Sequence, residues 1–171
     1  MIIWLTGLSG AGKTTVGRLL YDRIKTRYLH TVFLDGDILR DVWGDSLGHD
    51  LAGRRANAGR ITRLCRMLDA QGIHVVSSIL SIFPDDRREN RKIFSNYFEA
   101  FLDTPLEEVV RRDSKGLYRA AQAGEVKNVI GVDIPYPMDE TWDLRIAAPE
   151  IFLPPDVIAD RIYQAAQGQL K

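Results

Sequence analysis

The chain has a single cysteine, three histidines and no excess of either charge, with 23 basic and 23 acidic side chains. Each shortage excludes something. Cys65 stands alone in an apolar run, so no disulfide framework and no cysteine metal cluster can hold the fold, and a reducing compartment is expected. His30, His49 and His74 lack metal-ligand spacing. Balanced charge leaves no global field for a nucleic-acid backbone or an anionic membrane, so any anion recognition must be local. No stretch approaches the roughly 20 apolar residues of a membrane helix. The apolar start MIIWLTGL carries no basic leader and runs straight into a glycine-rich segment, unlike a signal peptide. These absences predict a cytoplasmic protein with neither nucleic acid nor membrane as partner.

What is present reads as an ordinary globular chain. At about 150 residues per domain, 171 residues with 45% apolar and 27% charged side chains predict one domain over 1–171. Arginine outnumbers lysine 17 to 6, which suits planar two-pronged contacts to phosphate or sulfate, although a compositional bias would give the same ratio. Short apolar runs at 2–5, 31–34, 74–79, 97–102 and 144–147 alternate with amphipathic stretches. That order predicts an α/β fold with a five-stranded parallel sheet and helices on both faces. Ligands of such sheets bind at the carboxyl ends of the strands, so the polar residues following each run (6–15, 35–40, Ser81, Asp103) should share one rim. The stretch 113–137 is long for a connection and is expected to act as a lid.

Gly7-Leu8-Ser9-Gly10-Ala11-Gly12-Lys13-Thr14 fits G-x4-G-K-[ST] between a predicted strand and a predicted helix carrying Val16, Leu19, Leu20 and Ile24, the context a phosphate-binding loop requires. Its glycines let successive backbone N–H groups converge on phosphate oxygens, and the helix N-terminus adds positive potential. Lys13 is expected to reach the β- and γ-phosphates of ATP, the Thr14 hydroxyl to ligate Mg²⁺, and Thr15 to extend the phosphate site. A GTP switch would need N-K-x-D late in the chain; none is present, and the D-x-x-G at 45–48 follows no apolar strand.

Leu34-Asp35-Gly36-Asp37 delivers two carboxylates to the same rim. Phosphoryl transfer to a hydroxyl needs a group that orients the nucleophile and accepts its proton, and an acid to hold the metal shell. Asp35 is assigned to the metal and Asp37 to the acceptor hydroxyl, with a helix N-cap the structural alternative for one of them. On the helix expected at 51–68, Arg54 and Asn57 project onto the arc of Ile61, Leu64, Cys65 and Leu68, whereas Arg55, Arg60, Arg63 and Arg66 face outward. An inward Arg and Asn need buried or ligand partners. The cluster Arg111-Arg112-Asp113-Ser114-Lys115-Gly116-Leu117-Tyr118 supplies positive groups for the transferring γ-phosphoryl, with Arg112 assigned to ATP; for Arg111 a solvated surface charge is an equal alternative. Asp85-Asp86-Arg87-Arg88 reads as a helix start with solvated charges.

With GLSGAGKTT, LDGD followed by Arg40, the region 47–57 and RRDSKGLY all in hand, the chain resembles the adenylylsulfate kinases from about 1 to 146. The resemblance implies a three-layer P-loop NTPase fold, often dimeric, and transfer of the ATP γ-phosphate to the 3′-hydroxyl of adenosine 5′-phosphosulfate. The family's LDGDxxR is matched by Asp35, Asp37 and Arg40, which implies an acceptor site that takes up the proton. Its D-R-x-E-N keeps Arg54 and Asn57, with Gly53 and Ala56 in place of the acids. Its I-S-P-Y appears as Leu80-Ser81-Ile82-Phe83, which implies that Ser81 contacts the acceptor; direct in-line transfer needs no phosphorylated intermediate on it. Lys115, Gly116 and Leu117 match the family's lid, and Lys115 joins Lys13 and Asp37 as catalytic.

Two departures bear on the substrate. The family's L-G-F is Leu47-Gly48-His49 and its F-T-G is Val129-Ile130-Gly131, so both aromatics expected around the acceptor adenine are absent. Losing them costs about 1–3 kcal/mol of stacking per partner. The cytidine diphosphoramidate kinases of capsule synthesis, which resemble adenylylsulfate kinases, therefore stand beside adenosine 5′-phosphosulfate as a second acceptor reading. From another class, a catalytically idle nucleotide-binding partner would show a damaged loop or missing acids, yet Lys13, Thr14, Asp35 and Asp37 are all in place.

Overall fold

A computed structural model describes residues 1–44, 47–113, 115–138 and 141–170. Asp45 and Ser46 of the D-x-x-G, and Ser114 of the basic cluster, lie outside the described residues. Five strands, β1 (Ile2–Thr6), β2 (Thr31–Asp35), β3 (His74–Ser78), β4 (Tyr97–Leu102) and β5 (Leu144–Ile146), form one sheet in the order β2-β3-β1-β4-β5. Every pairing is parallel, as the alternation of apolar runs and helices predicts. The register carries the ends of β1, β2 and β3 to one level: Leu5 sits opposite Ser78, and Ser78 opposite Asp35.

Alternation along β1 divides the core into two layers. Ile3 and Leu5 face α1 (Lys13–Lys25) and α7 (Pro155–Ala166), packing with Val16, Leu20, Ile24, Ile158 and Ile162. Ile2 and Trp4 face Leu39 of α2 (Gly36–Val42) and Ile61 and Cys65 of α3 (Leu51–Asp69). Leu20, Ile24, Ile61 and Ile162 are completely buried, each contributing about 1.5–3 kcal/mol of apolar burial. Helix α1 lies so close to the sheet that a Cβ on Gly17 would stand 2.3 Å from Ser78 Oγ. Burial pushes the Cys65 thiol up to about 12, so it is inert at neutral pH.

The helix over 51–68 forms as expected, with Gly53, Asn57, Ile61 and Cys65 buried. The reading of 85–88 as solvated needs correction. Helix α4 (Pro84–Ile93) does begin there, but Arg87 is completely buried, with its Nε 2.8 Å from Oε1 of the equally buried Glu99 on β4. A buried guanidinium requires a charged partner, and Glu99 sits inside the apolar run of β4, one helix away in sequence.

Candidate active site

The phosphate loop joins β1 to α1 through backbone shapes that side chains oppose. Gly7 lies at φ 144°, and a Cβ there would fall 2.6 Å from the Leu102 carbonyl oxygen. Gly10 and Gly12 take φ 78° and 97°. Leu8 and Ala11 anchor the loop in the core, while Ser9 and Gly10 reach its mouth. Lys13 folds over the loop, donating to the carbonyls of Gly7 at 2.9 Å and Leu8 at 2.7 Å. Burial lowers its pKa to about 8; the carboxylates of Asp37 and Asp35 oppose that shift and Lys115 adds to it. Thr15 is exposed on the first turn of α1.

Beside the loop, the Thr14 hydroxyl donates to Asp35 Oδ2 at 2.6 Å, which joins the end of β2 to the start of α1. The other oxygen of Asp35 accepts from the backbone N–H groups of Asp37 and Ile38, so Asp35 is the N-cap of α2 and Asp37 is left free of that task. One hydroxyl and one carboxylate fit Mg²⁺, which keeps most of its waters and binds beside phosphates. Among the described residues no group of three or more His, Cys, Asp and Glu could cage a metal ion.

Asp37 projects from the first turn of α2 into an ion pair with Lys115. Desolvation would raise its pKa, but Lys115, and then the fields of Lys13 and Arg40, hold it below the usual carboxylate range. Arg40, on the last turn of α2, donates to the Leu47 carbonyl at 2.9 Å. Arg54 spans two stretches, its Nε donating to the His49 carbonyl at 2.7 Å and its Nη2 to the Asn128 carbonyl at 2.8 Å. Its pKa is lowered by desolvation and by Arg40, against the pull of Asp133. Asn57 is buried one turn beyond Arg54.

Ser81 sits after β3 at φ 41°, a conformation that a non-glycine residue holds only under restraint. Its carbonyl accepts from Arg87 Nη1 at 2.8 Å and from the Thr6 hydroxyl at 3.5 Å. The stretch 113–137 is tied down at both ends. Asp113 accepts from the N–H groups of Tyr118 and Arg119, starting α6 (Leu117–Gln122), with Gly116 at φ 67° before it. At the far end Tyr136 shares a 2.6 Å hydrogen bond with Thr6 and stacks on Phe101 at 5.1 Å.

The structure thus gathers Lys13, Thr14, Asp35, Asp37 and Lys115, with Arg40 and Arg54 alongside. Arg111 and Arg112 instead both bind Glu108 of α5 (Leu106–Arg112), and hold that carboxyl down at about 2. Two residues to which the sequence assigns no role also shape the site: Asp133, whose carboxylate receives the N–H groups of Asn128 and Val129, and Tyr118, the last residue of the basic motif, whose hydroxyl reaches the loop. Val129, at the place of an expected aromatic, is packed in the core at 2% exposure and offers no face to a ligand.

Residues 1–147 match the adenylylsulphate kinase family. The chain is similar to the cytidine diphosphoramidate kinase of Campylobacter jejuni, with 40% identity over 81% of each protein. It is similar to the adenylyl-sulfate kinase of Marinobacter nauticus at 39% identity, over 85% of this chain and 74% of that protein. Among solved structures, the Mycobacterium tuberculosis APS kinase CysC in complex with AMPPNP and APS superposes with a TM-score of 0.87 at 32% identity, covering 97% of this chain and 96% of that one.

Proposed function

The chain belongs to the adenylylsulphate kinase family, and from that premise we propose that it transfers the γ-phosphate of ATP to the ribose 3′-hydroxyl of a 5′-activated nucleotide, with adenosine 5′-phosphosulfate as the favoured acceptor. The observation that carries the reading is the 2.6 Å contact of Thr14 with Asp35, with Asp37 two residues on in its ion pair to Lys115, which supports donor machinery and acceptor acid meeting on one rim. Thr14 and Asp35 are the residues that would hold Mg²⁺, which when bound offsets negative charge on the phosphates. Lys13 and the loop amides hold the triphosphate. Asp37 orients the acceptor hydroxyl and takes its proton as the new O–P bond forms and the bond to ADP breaks. A strong base is not required, because in a loose transition state the nucleophile keeps its proton until late. Arg40, Arg54 and Asn57 grip the anionic 5′ group and ribose, Ser81, Gly116 and Leu117 line the acceptor side, and Lys115 neutralises charge on the transferring group.

A second reading, cytidine 5′-diphosphoramidate as acceptor, is favoured by the similarity to the Campylobacter jejuni enzyme and by His49 and Val129 standing where aromatics are expected. The experiment offers both acceptors with ATP and measures ADP release. A tenfold or greater preference in kcat/KM for the sulfate compound, about 1.4 kcal/mol, is expected; the same preference for the cytidine compound overturns the assignment of the base and leaves the phosphotransfer intact. The reading carries with it a cytoplasmic location, where ATP is supplied, and a homodimer. No helix among the described residues is long and apolar enough to cross a membrane.

A further inference from the structure

Two hydroxyls from outside the phosphate loop hold its peptide planes. Tyr118 on α6 donates to the Ser9 carbonyl at 2.9 Å, and Thr104, just past β4, donates to the Ala11 carbonyl at 3.2 Å. In a trans peptide the C=O and the following N–H point in opposite directions. Anchoring the Ser9 oxygen on Tyr118 therefore turns the Gly10 N–H the other way, and Thr104 does the same for the N–H of Gly12. Neither glycine has a side chain to fix its own orientation, so the restraint must come from neighbours. Tyr118 is well placed to supply it. It is 1% exposed, and its own N–H is held by Asp113 at 3.1 Å. Burial, reinforced by the Asp113 charge, pushes the phenol up to about 12, so the hydroxyl remains a donor at neutral pH.

We propose that Tyr118 is a positioning residue for the nucleotide: its hydroxyl sets the Ser9–Gly10 peptide so that the Gly10 N–H faces the phosphates, and so couples the loop to the segment that carries Lys115. Only three positions separate Lys115, on Asp37, from Tyr118, on Ser9, so one short stretch touches both the acceptor acid and the donor loop. The inference rests on the reading of residues 7–14 as a nucleotide cradle.

The test is Tyr118→Phe, which removes one oxygen and keeps the ring that packs in the core. Full-length protein is titrated calorimetrically with Mg·ADP and, separately, with inorganic tripolyphosphate, and thermal midpoints are recorded for both proteins. Both dissociation constants are expected to rise roughly three- to tenfold, the worth of one hydrogen bond, at a temperature where both proteins are fully folded. Unchanged dissociation constants, with or without a lower midpoint, overturn the proposal, because a merely structural tyrosine would move stability alone. Weaker ADP with unaltered tripolyphosphate overturns it as well, since the effect would then lie on the nucleoside. If the wild type binds neither probe, the cradle reading fails and takes this inference with it; if only the comparison with the variant fails, the cradle reading survives.

Discussion

Residues 7–14 form one unbroken stretch, shaped by backbone conformation, by the contacts of Lys13 with the loop's own carbonyls and by two anchors in the core, with only the hydroxyls of Tyr118 and Thr104 added from outside. The facing side of the rim is assembled differently. Asp37, Arg40, Arg54, Ser81 and Lys115 come from four separate stretches, and what fixes two of them is a backbone carbonyl of a loop outside their own helix: Leu47 for Arg40, His49 and Asn128 for Arg54. A loop whose every turn demands glycine leaves little freedom for change. A pocket hung on carbonyls can exchange its side chains while keeping its frame, because any residue supplies a carbonyl. That difference gives a physical reason why relatives that are both named kinases carry different acceptors in their names.

The hardest blow to this division is Asp37→Asn. Asp37 lies outside the loop, so the substitution should lower kcat by about 10²- to 10⁴-fold while Mg·ADP affinity stays within a few-fold. Single-turnover rates and calorimetry read the two effects separately. Near-normal turnover would remove Asp37 from the chemistry and leave the acceptor side without its central acid.

The donor side can be tested through pH. With the Lys13 pKa lowered to about 8, chiefly by burial, the ammonium proposed to attract phosphate begins to lose its proton just above neutrality. Mg·ADP affinity should be flat below about pH 8 and fall by up to about tenfold per unit above it, as binding must then draw in a proton. Lys13→Arg, permanently charged, should bind more weakly but without that slope. The stability of the unliganded chain should run the other way. Between about 8 and the ordinary lysine value of 10.5 the unfolded chain binds more protons than the folded one, so this group makes the unfolding free energy rise with pH through that window. Calorimetric titrations and urea melts across the range check both signs.

The same contrast explains which features are legible in the amino-acid sequence. The loop is legible because its determinants are contiguous, and the sheet because each strand is an apolar run followed by a polar turn. Helical phase alone makes Asn57 legible as a buried residue and places the half-buried Arg54 one turn before it. The partners of Arg54 are not: the carbonyls of His49 and Asn128 have no side-chain signature, nor has the carbonyl of Ser9 that Tyr118 seeks. Arg87 misleads because four charged residues in a row look solvated, and the acid that pairs with it is hidden among apolar neighbours on β4. Arg112 is assigned to ATP by the company of its basic cluster, and the pairing with Glu108 that the structure adds follows from their one-turn spacing on the same helix.

A milder substitution asks whether the carbonyl frame truly organises the acceptor side. Arg54→Lys keeps a positive charge but cannot bridge His49 and Asn128, because an ammonium lacks the planar fork that meets two carbonyls in fixed directions. The two stretches it joins are those in which the expected aromatics are missing, so loosening them should be felt by the acceptor and not by the nucleotide. The expected outcome is an acceptor KM raised roughly three- to tenfold, with kcat and the ATP KM within about twofold, and a narrower gap between the two candidate acceptors. Steady-state kinetics with each acceptor in turn measures this. An unchanged acceptor KM would mean that the bridge only staples two loops together, and the pocket would then have to be organised from Arg40 and Lys115 alone.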